Sequence, residues 1–101
     1  MDMDWIKPYR QKINDLDDQI IDLLVERIGI IREVGHIKAE KNVPAVIPER
    51  VNEVRERNAK RAEDKGLDPD LVRDLYTALI DYSCNLEDDI KRKKAEDDIF
   101  G

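Results

Sequence analysis

Six side chains in this sequence could act together on a small anion: Arg10, Arg27, Lys38, Arg50, Ser83 and Glu87. Arg27 is the most telling. Apolar residues recur in steps of three and four through Ile13, Leu16, Ile20, Leu23, Ile30, Val34 and Ile37, and Arg27 takes the missing place. A cation in an apolar stripe is costly unless it is paired or ligated. The plain alternative is a structural ion pair or a snorkelling side chain. Lys38 follows three turns later at nearly the same angle, roughly 16 Å along the axis. Two cations on one face of a helix suggest an anion site. Ser83 and Glu87 sit one turn apart and interrupt a second stripe, formed by Val72, Leu75, Tyr76, Leu79, Ile80, Leu86 and Ile90. The plain alternatives are a packing serine bonded to its own backbone and a boundary glutamate paired with a lysine. Arginine forks match carboxylates bidentately, so a small dicarboxylate is the ligand class these residues suit. None of the six is an evident nucleophile or general base. A catalytic pocket built from them would work by positioning and electrostatics.

The elements that must hold these residues are helices. No breaker interrupts the chain between Pro8 and Asn42, and Pro8 suits a first helical turn. Asn42, Pro44 and Pro48 mark a loop, in which Val43, Ala45, Val46 and Ile47 would cover core. Pro48 then starts a short polar helix that Gly66 ends in a left-handed cap. Its arginines, Arg55, Arg57 and Arg61, are expected on a solvated face. Arg50 is the exception, because it opens the helix beside the apolar loop. Asp68-Pro69 starts a third helix with an N-cap and a proline at the first helical position. The predicted organisation is one all-α domain over residues 1–101, with helices at about 8–41, 48–65 and 69–95. The charge-rich tail from Lys91 to Gly101 is expected to fray.

The first helix sets a constraint on assembly. It would run about 50 Å at ~1.5 Å per residue, whereas a compact domain of this size has a radius of gyration near ~13 Å. Its seam therefore needs a partner, and a second copy of the chain is the simplest one. A homodimer is expected.

Composition narrows the function classes. Charged residues make up 42% and aromatics 5%, the profile of a charge-laced helical protein. A net charge of −6 argues against nucleic acid as a partner. No apolar run approaches the ~20 residues of a membrane span, and MDMDWIKPYR does not resemble a signal peptide. With a single cysteine, Cys84, no internal disulfide is possible, and a cytoplasmic location is expected. Cys84 reads as a small buried or half-buried residue. His36 has no spacing that suggests a metal site.

The order and spacing of these fragments resemble the all-helical chorismate mutases. The carriers are Arg10 in PYRQKINDLDDQI, Arg27 in LLVERIGII, Lys38 in EVGHIKAEK, Arg50 in IPERV, and Ser83 with Glu87 in DYSCNLED. The resemblance spans roughly residues 8 to 90. It implies an intertwined homodimer in which Arg10 crosses to the partner's site. It also implies that arginines hold the carboxylates of chorismate, while Lys38 and Glu87 hydrogen-bond the ether oxygen. The implied reaction is the Claisen rearrangement of chorismate to prephenate, without cofactor or metal. Three positions depart from the common pattern. Ile47 and Val51 stand where acids are usual, and Glu87 stands where glutamine is frequent. The first two resemble a branch that includes isochorismate-pyruvate lyases and 4-amino-4-deoxychorismate mutases, which remain alternatives. Glu87 weighs against the lyase. An alternative of another class is a non-catalytic helical dimer serving as an interaction module, but such a module has no reason to keep cations in its seam.

Overall fold

The computed structural model describes residues 2–100. Met1 and Gly101, at the ends of the two terminal stretches discussed above, lie outside them. A short 3-10 turn at Asp4–Ile6 leads into α1 (Lys7–Lys41), followed by α2 (Pro48–Asp64) and α3 (Pro69–Phe100). Among the described residues there is no strand. The fold is all-α. Contacts divide the chain into a first unit ending at Ile30 and a second starting at Ile31.

The first unit is the 3-10 turn and the N-terminal part of α1. Within the single chain its apolar stripe is open. Ile13, Leu16, Ile20 and Leu23 are between 53% and 64% exposed, and Ile30 is 60% exposed. The side chain of Arg27 is half-buried in the same stretch.

The second unit holds the end of α1, all of α2 and all of α3. Each helix end is fixed by a local device. Asn42 adopts φ 55°, and Val43 N–H donates to Lys38 C=O at 2.8 Å. Gly66 does the same for α2 with φ 79°, and Leu67 N–H reaches Ala62 C=O at 2.8 Å. Both are Schellman-type stops, with the left-handed residue supplied once by asparagine and once by glycine. Asp68 caps α3 by accepting from Asp70 N–H at 2.9 Å. Ile47 is extended, as a residue before proline must be, and releases the chain into α2.

α2 packs along α3 as a helical hairpin. Ala59, Ala62, Val72 and Ile80 are buried, and Arg73 ties the outer edge by donating to Glu56 at 3.1 Å. The core is thin: among the described residues the buried apolar ones are these four and Ala45. α1 joins this unit at Gly35, the buried residue of that helix. A Cβ placed there would lie 3.0 Å from Ile90 Cδ1 and 3.3 Å from Glu87 Cγ. Glycine is what lets α1 approach α3 this closely.

α3 departs from expectation at its end. It stays helical to Phe100, beyond residue 95 and through the tail expected to fray. Arg92 pairs with Asp89 at 3.1 Å, and Lys94 with Asp98 at 3.1 Å. Opposite charges at these spacings favour helix even in a strongly charged segment.

Candidate active site

Glu87 is the centre of the arrangement in the second unit. It lies on the inner face of α3, where Ser83, one turn earlier, is also buried. The side chain of Glu87 is only 6% exposed. Lys38 reaches it from the last turn of α1, with Nζ 3.2 Å from Oε1 and 3.3 Å from Oε2. The same ammonium donates to Ala45 C=O at 3.2 Å. Three features place Lys38 there. α1 ends on the Asn42 stop, the stop turns the chain back, and the returning loop lays Ala45 against the ammonium. Gly35 completes the geometry by letting α1 lie against the backbone of Glu87, whose Cα would be 3.5 Å from a Cβ placed at residue 35.

The other candidates are placed differently. Ser83 Oγ donates to Leu79 C=O at 2.8 Å, which is the ordinary way a helical serine satisfies its hydroxyl. Arg50 sits exposed in the first turn of α2 and pairs with Glu53 of its own helix at 2.7 Å. Arg10 and Arg27 belong to the first unit, where Arg10 is exposed. Lys38 and Glu87 are thus the pair that the second unit joins directly, as the plain reading of Glu87 as a lysine-paired glutamate allows.

Sequence reasoning missed two residues. Arg55 was expected on a solvated face, but it is half-buried and its Nε is buried without a hydrogen-bond partner. The available signal was its place four residues after Val51 and four before Ala59, inside the apolar stripe of α2. Gly35 was passed over as well, although a glycine within an apolar helical pattern signals close approach.

No three His, Cys, Asp or Glu side chains among the described residues cluster as a metal site requires. No helix among them is long and apolar enough to cross a membrane. His36 lines an open cleft of about 540 Å³ between the ends of α1 and α3. Arg32, Glu40 and Ile90 share that lining, whereas Lys38 and Glu87 do not. Cys84 is half-buried. Its thiol is pushed above its ordinary range, first by burial and then by the Glu87 carboxylate, while Lys38 pulls the other way. A thiol held protonated is a poor nucleophile.

The family described as chorismate mutase type II matches residues 9–88. This chain belongs to that family. The matched span includes all six candidate residues. A 4-amino-4-deoxychorismate mutase of Streptomyces pristinaespiralis is 31% identical over 86 residues, covering 85% of this chain and 67% of that protein. A chorismate mutase of Methanocaldococcus jannaschii is 27% identical over 78 residues, covering 77% of this chain and 79% of that protein. The T-protein of Enterobacter agglomerans is 32% identical over 80 residues, 79% of this chain. This chain spans only 21% of the T-protein's length. The family match and these names support an isomerase.

The electrostatics around Cys84 make the site testable without substrate. Glu87→Gln removes a charge that raises the thiol's pKa, so more thiolate forms at a given pH. Alkylation of Cys84 by iodoacetamide should then be faster than in the wild type, with its pH–rate profile shifted to lower pH. Lys38→Met removes an opposing influence and should slow the reaction. Equal rates in all three proteins would mean that Cys84 does not feel this pair.

Proposed function

We propose that the protein is a chorismate mutase that converts chorismate to prephenate in a site completed by a second copy of the chain. The observation that carries this reading is the Lys38–Glu87 pair, with Glu87 buried, within a family-matched span that also contains the candidate arginines Arg10, Arg27 and Arg50. The rearrangement breaks the ether C–O bond as a new C–C bond forms within the same molecule. Negative charge builds on the ether oxygen as its bond lengthens. A preorganised donor at that oxygen stabilises the transition state more than the ground state. Lys38 Nζ is such a donor, because Ala45 C=O and Glu87 hold it in place before substrate arrives. Arg10, Arg27 and Arg50 take the two carboxylates, with Ser83 as a further binding group. Arg10 is contributed in trans by the partner subunit. The exposed stripe of α1 and the thin core of the single chain support this assembly. Both leave apolar surface that a partner copy would cover.

The interaction-module alternative is not favoured, because the match is to an enzyme family and the cations persist in the helical faces. The direct test is to incubate the purified protein separately with chorismate and isochorismate and to identify the products. Prephenate from chorismate supports the mutase reading. Salicylate and pyruvate from isochorismate, with chorismate untouched, would replace it. In the mutase assay, Lys38→Ala should lose on the order of 10²–10³ in kcat with a smaller change in KM. Near-normal turnover would remove Lys38 from its role.

Assembly is tested by mixing Arg10→Ala and Arg27→Ala protomers. If Arg10 acts in trans, one site of each heterodimer carries both lesions and the other carries neither. Two inactive homodimers should therefore regain activity on mixing and subunit exchange. A mixture that stays inactive after exchange is confirmed by mass spectrometry places Arg10 in its own subunit's site.

Glu87 is tested by replacement at a single pH. A carboxylate only accepts hydrogen bonds, which suits its pairing with Lys38, whereas an amide also donates. Glu87→Gln therefore supplies a donor of similar shape at the ether oxygen and should keep or raise kcat, while Glu87→Ala should lose on the order of 10². Equal turnover in all three proteins would show that Glu87 does not meet the reacting bond.

A further inference from the structure

Gly35 stands in the interior of α1, where alanine is a much better helix former than glycine. No left-handed backbone explains it, since the glycine with positive φ is Gly66. The reason must lie in the side chain that residue 35 lacks. A Cβ there would meet two different kinds of neighbour. Ile90 Cδ1, at 3.0 Å, is the far end of a flexible side chain. Ile90 also lines the open cleft beside it, so it has room to turn away. Glu87 has no such freedom. Its Cγ would lie at 3.3 Å and its Cα, in the backbone of α3, at 3.5 Å. Beyond Cγ the carboxylate is held by Lys38 Nζ, at 3.2 Å from Oε1 and 3.3 Å from Oε2. The Cγ is thus fixed from both ends. An added methyl group can be admitted only by moving the carboxylate or by moving α1. Lys38 lies on the same helix one turn later, so either movement alters the pair.

We propose that Gly35 is a positioning residue: the missing side chain sets where the Glu87 carboxylate and the Lys38 ammonium stand, and turnover depends on it while the stability of the fold does not. This rests on the mutase reading, in which both groups face the ether oxygen. Preorganised donors stabilise a transition state only if they already stand in the right place when charge develops. Misplacement by about 1 Å can lower a rate by about a hundredfold. The contacts at residue 35 ask for a smaller shift, so the loss expected from a methyl group is on the order of tenfold. Stability runs the other way. Alanine loses less backbone freedom than glycine on folding and by itself favours α1. Ile90 takes up its share of the contact by turning into the cleft. Gly35→Ala should therefore give a protein that melts no lower than the wild type and works more slowly. A residue kept for packing alone would lose stability first, whereas one kept for the site trades stability for activity.

The test measures kcat and KM on chorismate, with thermal melts, for the wild type, Gly35→Ala, Gly29→Ala, Ile90→Val and the double variant Gly35→Ala/Ile90→Val. Gly29 is the control on the same helix, because a Cβ there meets nothing within 4 Å. Gly29→Ala and Ile90→Val should keep kcat within about twofold of the wild type. Gly35→Ala should lose on the order of tenfold in kcat, with KM within about twofold and no fall in melting temperature. The double variant removes Ile90 Cδ1 and leaves the contact with Glu87, so its kcat should stay as low as that of Gly35→Ala. A Gly35→Ala protein with wild-type kcat overturns the proposal. So does recovery of kcat in the double variant, which would place the lesion at Ile90. If Gly35→Ala does not fold, the double variant decides by the same measurement. A double variant that does not fold either makes Gly35 a residue of the fold and overturns the proposal. A wild type that leaves chorismate unchanged overturns the mutase reading and this proposal together. Conversion of chorismate by the wild type and by Gly35→Ala at equal kcat overturns this proposal alone.

Discussion

Lys38 and Glu87 form an ion pair between two helices where little water reaches, and much of the second unit exists to make that pair tolerable. Removing both charges from water costs several kcal/mol in effective terms, on the order of what their attraction returns. The balance holds only if the geometry is tight and the spare donors are used. Gly35 gives the tightness, because any side chain there would push α1 away from Glu87 and Ile90. The Asn42 stop and the loop behind it give the remaining acceptor, Ala45 C=O. The pair adds little net stability by this account. Under the proposed function its use is that a charged donor stands fixed before any ligand arrives, so that little reorganisation is needed when charge develops there.

A second constraint is the mismatch between helix length and chain size. α1 holds 35 residues, about 52 Å at ~1.5 Å each, in a chain of 101 residues. The chain cannot wrap such a rod by itself, and the consequence is visible in the exposed isoleucines and leucines of the first unit. The same mismatch links fold to function. Candidate arginines at positions 10 and 27 ride on the part of α1 that ends at Ile30, while Lys38 and Glu87 sit in the other unit. Under the proposed function, a site drawing on all of them would depend on assembly.

The helices were legible in the sequence because their ends are marked by residues with their own mechanisms. Asn42 and Gly66 take left-handed φ, Asp68 caps, and Pro48 and Pro69 open helices. The end of α3 was not legible, since its charges resemble a fraying tail until Arg92–Asp89 and Lys94–Asp98 are seen as pairs. The site divides in the same way. Lys38 could be singled out because it repeats the angular position of Arg27, and Glu87 because it interrupts an apolar stripe, but nothing in the sequence shows that one answers the other across 49 positions. Arg55 was misread because arginines on a polar helix are usually solvated, and four of them on α2 look alike until the Nε of one is found buried. The part played by Ala45 belongs to a backbone carbonyl, which carries no signal in residue type at all.

These observations bear on why a pocket of this kind needs no nucleophile. The one thiol near the pair, Cys84, is held in its protonated form by burial and by Glu87 itself. The lysine that could otherwise act as a base is engaged as a donor to two oxygens of Glu87 and one of the backbone. Each of these groups is engaged with another, and under the proposed function charges and dipoles carry the catalysis. An intramolecular rearrangement is the kind of reaction that such a site can serve. It asks for no proton shuttle and no covalent intermediate, only for a bent substrate conformer and a donor at the breaking bond. The arrangement also explains why a glutamate can stand in this position. Its charge is useful while the site is empty, when it anchors Lys38.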